Sequence, residues 1–198
     1  MNQPTNLNQY LKNSVIINFD HPSVAAKARE LAEGCNSDTE IAKRCFEFVR
    51  DEIRHTGDAG EGITTCSASE VLEQGTGWCY AKSHILAALL RANNIPTALC
   101  YQRLSCSEYV EDIDCLHGLN AVYLKDYGWY RIDARGNKAG VDAQFTPPHE
   151  KLAFELGENE YDLPDLYAEP LDVVVEALKT RKNYAEMIGN FPDIRIIK

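Results

Sequence analysis

Apolar residues recur at helical spacing from Pro22 to Glu33, where Val24, Ala25, Ala28, Leu31 and Ala32 mark one side and Gly34 is placed to end the turn. Ser37-Asp38-Thr39-Glu40 has the form of a capping box and opens a second helix to about Ile53, with Ile41, Cys45, Phe48 and Val49 on one face. Ahead of both, Val15 to Phe19 reads as a short extended stretch. From His55 to Cys66 the periodicity stops and Gly57, Gly60 and Gly62 intervene, so a loop is expected, and Ser67-Ala68-Ser69-Glu70 then starts a short helix to about Gln74. The run from Trp78 to Ala92 is apolar on most sides, the pattern of a buried central helix, and stops at Asn93-Asn94 before Pro96.

Strand patterns follow at Thr97 to Leu104, Gly118 to Leu124 and Trp129 to Asp133. Lys125-Asp126-Tyr127-Gly128 is turn-like, so the last two form an antiparallel hairpin. Beyond Asp133, Gly136, Gly140, Pro147 and Pro148 punctuate one loop and the acidic Glu155 to Asp165 reads as another. Leu171 to Lys179 fits a surface helix, and Asp193 to Lys198 an edge strand. A chain of 198 residues suits one domain, residues 1–198, with a core motif region at 46–137 and a C-terminal extension at 138–198.

Charge narrows the function classes. Thirty acidic residues against twenty basic ones give a formal charge of -10, which supplies no attraction for a phosphate backbone, so nucleic acid is not an expected partner. The polar, uncharged Met1 to Asn6 lacks the form of a signal peptide, and no apolar run reaches spanning length, so a cytoplasmic protein without membrane contact is expected. Seven cysteines, an odd and scattered set, argue for reduced thiols over a disulfide framework. Zinc on Cys66, Cys79, Cys115 and His117 is the competing use of that set, but the usual ligand spacing is missing, and no metal or cofactor is expected.

The chemistry concentrates at Cys79. It stands in the first turn of the central helix, where orphan N–H groups and the macrodipole favour a thiolate. His117 opens one strand of the hairpin and Asp133 closes the other, and folding about the turn brings them within diagonal reach. A thiolate attacks an acyl carbon, an imidazole moves the proton, and a carboxylate orients the imidazole. Cys79, His117 and Asp133 are thus the candidate catalytic residues, with the Cys79 N–H as one oxyanion donor. Read without further context, each has a plainer alternative: a buried thiol, a satisfied strand histidine and a turn former.

Gly77-Trp78-Cys79, the helix ending Leu89-Leu90-Arg91-Ala92-Asn93-Asn94-Ile95-Pro96, His117-Gly118-Leu119-Asn120-Ala121-Val122-Tyr123 and Gly128-Trp129-Tyr130-Arg131-Ile132-Asp133 together resemble the transglutaminase-like superfamily, in the form of a small bacterial-type stand-alone member. The resemblance places nucleophile, base and carboxylate at Cys79, His117 and Asp133. It implies a papain-like α+β fold in which the cysteine-bearing helix packs on an antiparallel β-sheet. Leu119 departs from the family, many of whose members carry an aromatic residue there. An upstream Tyr or Trp, often the oxyanion donor, is replaced by His55, and Gln74 resembles the upstream glutamine of papain-like sites. Trp78, His55 and Gln74 are therefore the candidates for substrate binding and the oxyanion.

The implied activity is cysteine-dependent acyl transfer on peptide or side-chain amides of a peptide or protein substrate, as a peptidase or amidase or as a transglutaminase-type enzyme. A catalytically silent binding module on the same fold is the alternative. Lys82, Arg103 and Arg135 lie in or near the motif segments, either as readers of a substrate carboxylate or as solvated surface charges.

Overall fold

The computed structural model describes residues 6–107 and 109–194, and its first helices follow the apolar spacing. Helix α1, Pro22–Ala32, buries Val24 and Ala28, and Gly34 beyond it takes φ +73°, the left-handed region that glycine enters without strain. Helix α2, Asp38–Glu52, buries Ala42, Cys45, Phe46 and Val49. Its cap is half of the expected box. The Ser37 hydroxyl accepts from the Glu40 N–H at 3.2 Å, whereas the Glu40 carboxylate accepts from the Asn36 N–H at 2.7 Å. Val15 to Phe19 is bent, not extended, because Ile16 and Ile17 turn into the core and the Ile16 carbonyl accepts from the Ala68 N–H.

The segment expected as a loop from His55 begins with regular structure. Strand β1, Arg54–His55, pairs in parallel with β2, Thr76–Gly77, and the one-turn helix α3, Thr56–Ala59, follows β1. A two-residue bridge to a partner this distant leaves no periodic trace. Between them, α4, Ala68–Gln74, starts on a complete Ser67/Glu70 capping box. Helix α5, Cys79–Ala92, is buried along nearly its whole length.

Strands β3, Thr97–Ser105, β4, Asp114–Leu124, β5, Gly128–Ile132, and β6, Tyr161–Asp162, form an antiparallel sheet in the order β5-β4-β3-β6. Strand β4 starts at Asp114, ahead of its apolar run, and β6 falls inside the acidic stretch expected as a loop. Helix α6, Asp172–Thr180, buries Val174, Ala177 and Leu178. The short α7, Tyr184–Met187, had no sequence signal. Asp193 and Ile194 form no strand, and the rest of that expected edge strand, 195–198, lies outside the described residues.

Helix α5 lies on one face of β3 and β4. The Tyr80 hydroxyl donates to the Leu116 carbonyl at 2.5 Å, and the Asn120 amide donates to Ser83 O at 3.0 Å and Ala98 O at 3.3 Å. The approach is closest at Gly118, where a Cβ would sit 2.9 Å from Tyr80 Cα. On the opposite face, Tyr10, Ala98, Cys100, Leu119 and Ala121 form a smaller apolar cluster. Val174, Ala177, Leu178 and Met187 join the main core, so the C-terminal residues pack onto the motif region. Among the described residues, no helix is long and apolar enough to cross a membrane.

The cysteines depart from expectation. Cys106 and Cys115 are joined, with Cα atoms 5.9 Å apart, and the other five remain free. The two meet because β3 and β4 stay paired as far as Ser105 and Asp114, which carries Cys106 up to Cys115, a closeness that an odd cysteine count does not reveal. The reduced-thiol expectation fails for this pair.

Alkylation of denatured, unreduced protein is expected to reach the five free cysteines and spare Cys106 and Cys115; labelling of either would contradict the pairing. Gly118→Ala should lower unfolding free energy by about 1–3 kcal/mol in denaturant titration, since the added methyl meets helix backbone.

Candidate active site

Helix α5 begins at Cys79, with Trp78 as an N-cap whose side chain makes no capping bond. Cys79 thus stands at the positive end of the helix, and the Gly118 N–H of β4 stands 3.5 Å from Sγ. Gly118 thus serves twice, admitting the helix and turning a backbone donor towards the thiol.

Register sets the base. Asn120 pairs with Ile132, so Asp133 comes opposite Leu119 and diagonal to His117. His117 Nε2 and Asp133 Oδ2 are 2.8 Å apart. Asp133 is fully buried, and its two oxygens also accept from the Arg135 N–H at 3.2 Å and the Ala153 N–H at 3.1 Å. An acceptor-only carboxylate requires the proton on Nε2 and leaves Nδ1 for the thiol.

Burial alone would raise the Cys79 pKa, but the His117 charge, a hydrogen bond from His117 and contact with His55 outweigh it and bring it to about 6. Burial would likewise lower His117, yet Asp133 and the Cys79 thiolate lift it to about 10. Both shifts favour one microstate, a thiolate beside an imidazolium. Asp133, whose burial opposes ionisation, is held below the usual carboxylate range by His117 and the two backbone donors.

His55 closes the other side of the sulfur. Its Nδ1 accepts from the Asp58 N–H at 3.2 Å, so in the neutral ring the proton is on Nε2. Asp58 is itself gripped by Arg135 in two bonds of 2.7 Å and by Lys138 at 2.9 Å. The cleft at Cys79, about 230 Å³, has Trp78, Tyr109, Phe154 and Phe191 among its walls, with Arg135, Glu155 and Glu160 as charged members. Trp78 stacks on Tyr184 at 6.0 Å with the rings 7° from parallel, and Phe154 stands edge-on to His117 at 5.0 Å.

A sequence model of the Transglutaminase-like superfamily matches residues 25–134, more than half of the chain. The chain belongs to that superfamily. A solved protein of Cytophaga hutchinsonii, provisionally named a cysteine protease, aligns at a TM-score of 0.53 and 17% identity over 68% of this chain and 43% of its own. The periplasmic domain of TgpA from Pseudomonas aeruginosa aligns at 0.47 and 16% identity over 65% of this chain and 46% of its own. The chain thus spans less than half of either structure. The first likeness is one of fold, and no curated protein matches the sequence.

Within this transglutaminase-like frame, Trp78 and His55 line the cleft with Cys79 and His117, but Gln74 does not. Gln74 is exposed at the last turn of α4, because the Gly75 cap and β2 turn the chain before it reaches Cys79. Lys82, Arg103 and Arg135 are not solvated surface charges: all three are buried. Arg103 pairs with Asp114 and Asp193, and Arg135 with Asp58. Leu119 faces the smaller apolar cluster, so its departure from the family leaves the wall beside the base to Phe154. Tyr109, Phe154 and Phe191 come from irregular segments without a motif and were not singled out in the sequence. Cys115 is bound to Cys106, and among the described residues no cluster of three or more potential ligands suits a metal ion.

Alkylation of Cys79 should rise with a midpoint near pH 6, and His117→Ala should move that midpoint upward; a midpoint in the ordinary thiol range for the wild type would refute the ion pair. Cys45 and Cys66, which burial pushes to about 12 and about 11, should label only on unfolding.

Proposed function

We propose that this chain is a cysteine-dependent acyl-transfer enzyme acting on peptide or side-chain amide bonds of a peptide or protein substrate. The observation that carries the reading is the His117–Asp133 bond of 2.8 Å beside a sulfur whose surroundings favour the thiolate. In this mechanism the Cys79 thiolate attacks the amide carbon and forms a C–S bond. The His117 imidazolium gives its proton to the departing nitrogen as the C–N bond breaks. Neutral His117 then takes a proton from water, the resulting hydroxide attacks the thioester, and the thiolate leaves with a carboxylic acid as product.

The Cys79 N–H and the His55 Nε2–H are the proposed donors to the oxyanion, with the Asp58 backbone N–H setting the His55 tautomer. Trp78 provides an apolar wall for the acyl group. Hydrolysis and amine transfer share this thioester and differ in whether water or an amine resolves it. The Cys106–Cys115 bond at the cleft edge fits an oxidising compartment better than the reducing cytoplasm expected from the sequence.

Incubation with a peptide library should give an acyl adduct on Cys79 in intact-mass spectra; Cys79→Ala should keep its fold and lose both adduct and turnover. Turnover by Cys79→Ala would refute the mechanism, and a folded wild type that forms no adduct with any peptide or glutamine substrate would favour the silent module. His55→Ala should lower kcat by roughly 10²–10³ with KM little changed, as for loss of one oxyanion donor. The kcat/KM profile should rise near pH 6 and fall near pH 10, values that belong to the coupled thiol–imidazole pair.

A further inference from the structure

Helix α5 is apolar on most sides, yet one turn after Cys79 it carries Lys82, only 1% exposed. Its ammonium donates to the Arg50 carbonyl at 3.3 Å and to the Ile53 carbonyl. These belong to the last turn of α2 and its C-cap, where carbonyls lack helical partners. The segment after Asp133 closes the third side: a Cβ on Gly136 would lie 3.6 Å from Lys82 Nζ and 3.5 Å from Arg50 O. One side chain therefore joins the helix of Cys79 to the segment leading into His55, with the segment leaving Asp133 close beside it.

A buried lysine contributes little to stability that an apolar side chain of similar volume would not, so retaining a charge here calls for another role. Burial and Arg135 oppose the charge and bring the lysine down to about 7, against support from Asp133, Asp58 and Asp51. The His55 segment is held from its far side by the Asp58–Arg135 pair, and Lys82 holds it from the near side. Strand β1 has a two-residue bridge to β2, and His55 is the residue immediately after Arg54, whose carbonyl accepts from Thr76. The Ile53 carbonyl, two residues before His55, is tied to the helix of Cys79 through Lys82. The backbone at Lys82 is firm, its N–H bonded to the Trp78 carbonyl at 2.9 Å.

We propose that Lys82 is a positioning residue that fixes the His55 ring against the Cys79 sulfur by clamping the end of α2 to the first turn of α5. The inference rests on the reading of Cys79 as the nucleophile. Lys82 touches neither substrate nor reacting atoms; it acts through His55.

The test is a double-mutant cycle on the native full chain, read as the pH profile of iodoacetamide labelling at Cys79, with thermal melts alongside. Lys82→Met should raise the Cys79 midpoint and slow labelling near neutral pH by about tenfold in the wild-type background, and change it by less than about twofold in His55→Ala. An unshifted midpoint, or an equal slowing in both backgrounds, overturns the role. A lysine that only supports the fold would lower the melting temperature in both backgrounds and leave the midpoint in place. If Lys82→Met gives no cooperative melt, Lys82→Gln is put through the same cycle and judged by the same outcomes. A wild-type Cys79 without a low midpoint refutes the nucleophile reading itself, whereas a low midpoint untouched by Lys82→Met leaves that reading intact and removes Lys82 alone.

Discussion

A carboxylate with no exposed surface lies behind the whole site. Left alone, Asp133 would take up a proton, because an ionised group in a low-dielectric interior is costly. It stays ionised because His117 and the backbone N–H groups of Arg135 and Ala153 all point at it. Two of those donors come from the irregular chain after β5, so the loop from Ala134 to Ala153 is part of the electrostatics of the site. The charge then passes outward: Asp133 holds the imidazolium, and the imidazolium holds the thiolate.

That chain of charges works only at short range, and packing between α5 and the sheet sets the range. Asn120 and Tyr80 fix the helix to β4 by hydrogen bonds, while Gly118 removes the side chain that would keep them apart. A second polar group, the buried Arg135 with the more exposed Asp58 and Lys138, braces the opposite wall and the His55 segment. The polar bonds therefore form two frames with the sulfur between them, one built on Asp133 and one on Asp58.

The parts that were legible in the sequence are those whose determinants are local. The spacing of Val24 and Ala28, the Ser67/Glu70 cap and the turn at Lys125 to Gly128 each act within a few residues, and the corresponding elements stand where they were placed. The His117–Asp133 contact followed from hairpin register, which alternation and a short turn determine together. Gln74 was misplaced because spacing from Cys79 carries no direction once Gly75 turns the chain. Strand β1, strand β6 and the Cys106–Cys115 bond depend on partners distant in sequence or on loop closure, which no local pattern encodes. Lys82, Arg103 and Arg135 look like surface charges because burial of a cation is decided by the carbonyls and carboxylates that surround it.

Trp78 leans on Tyr184 and Phe191, and the Leu116 N–H beside His117 donates to the Pro192 carbonyl. Synthesis is vectorial, so Cys79, His117 and Asp133 all leave the ribosome before these residues have been joined to the chain. During that interval the thiol exists without its outer wall. Translation order thereby makes the aromatic outer wall of the cleft one of the last parts of the described chain to be added.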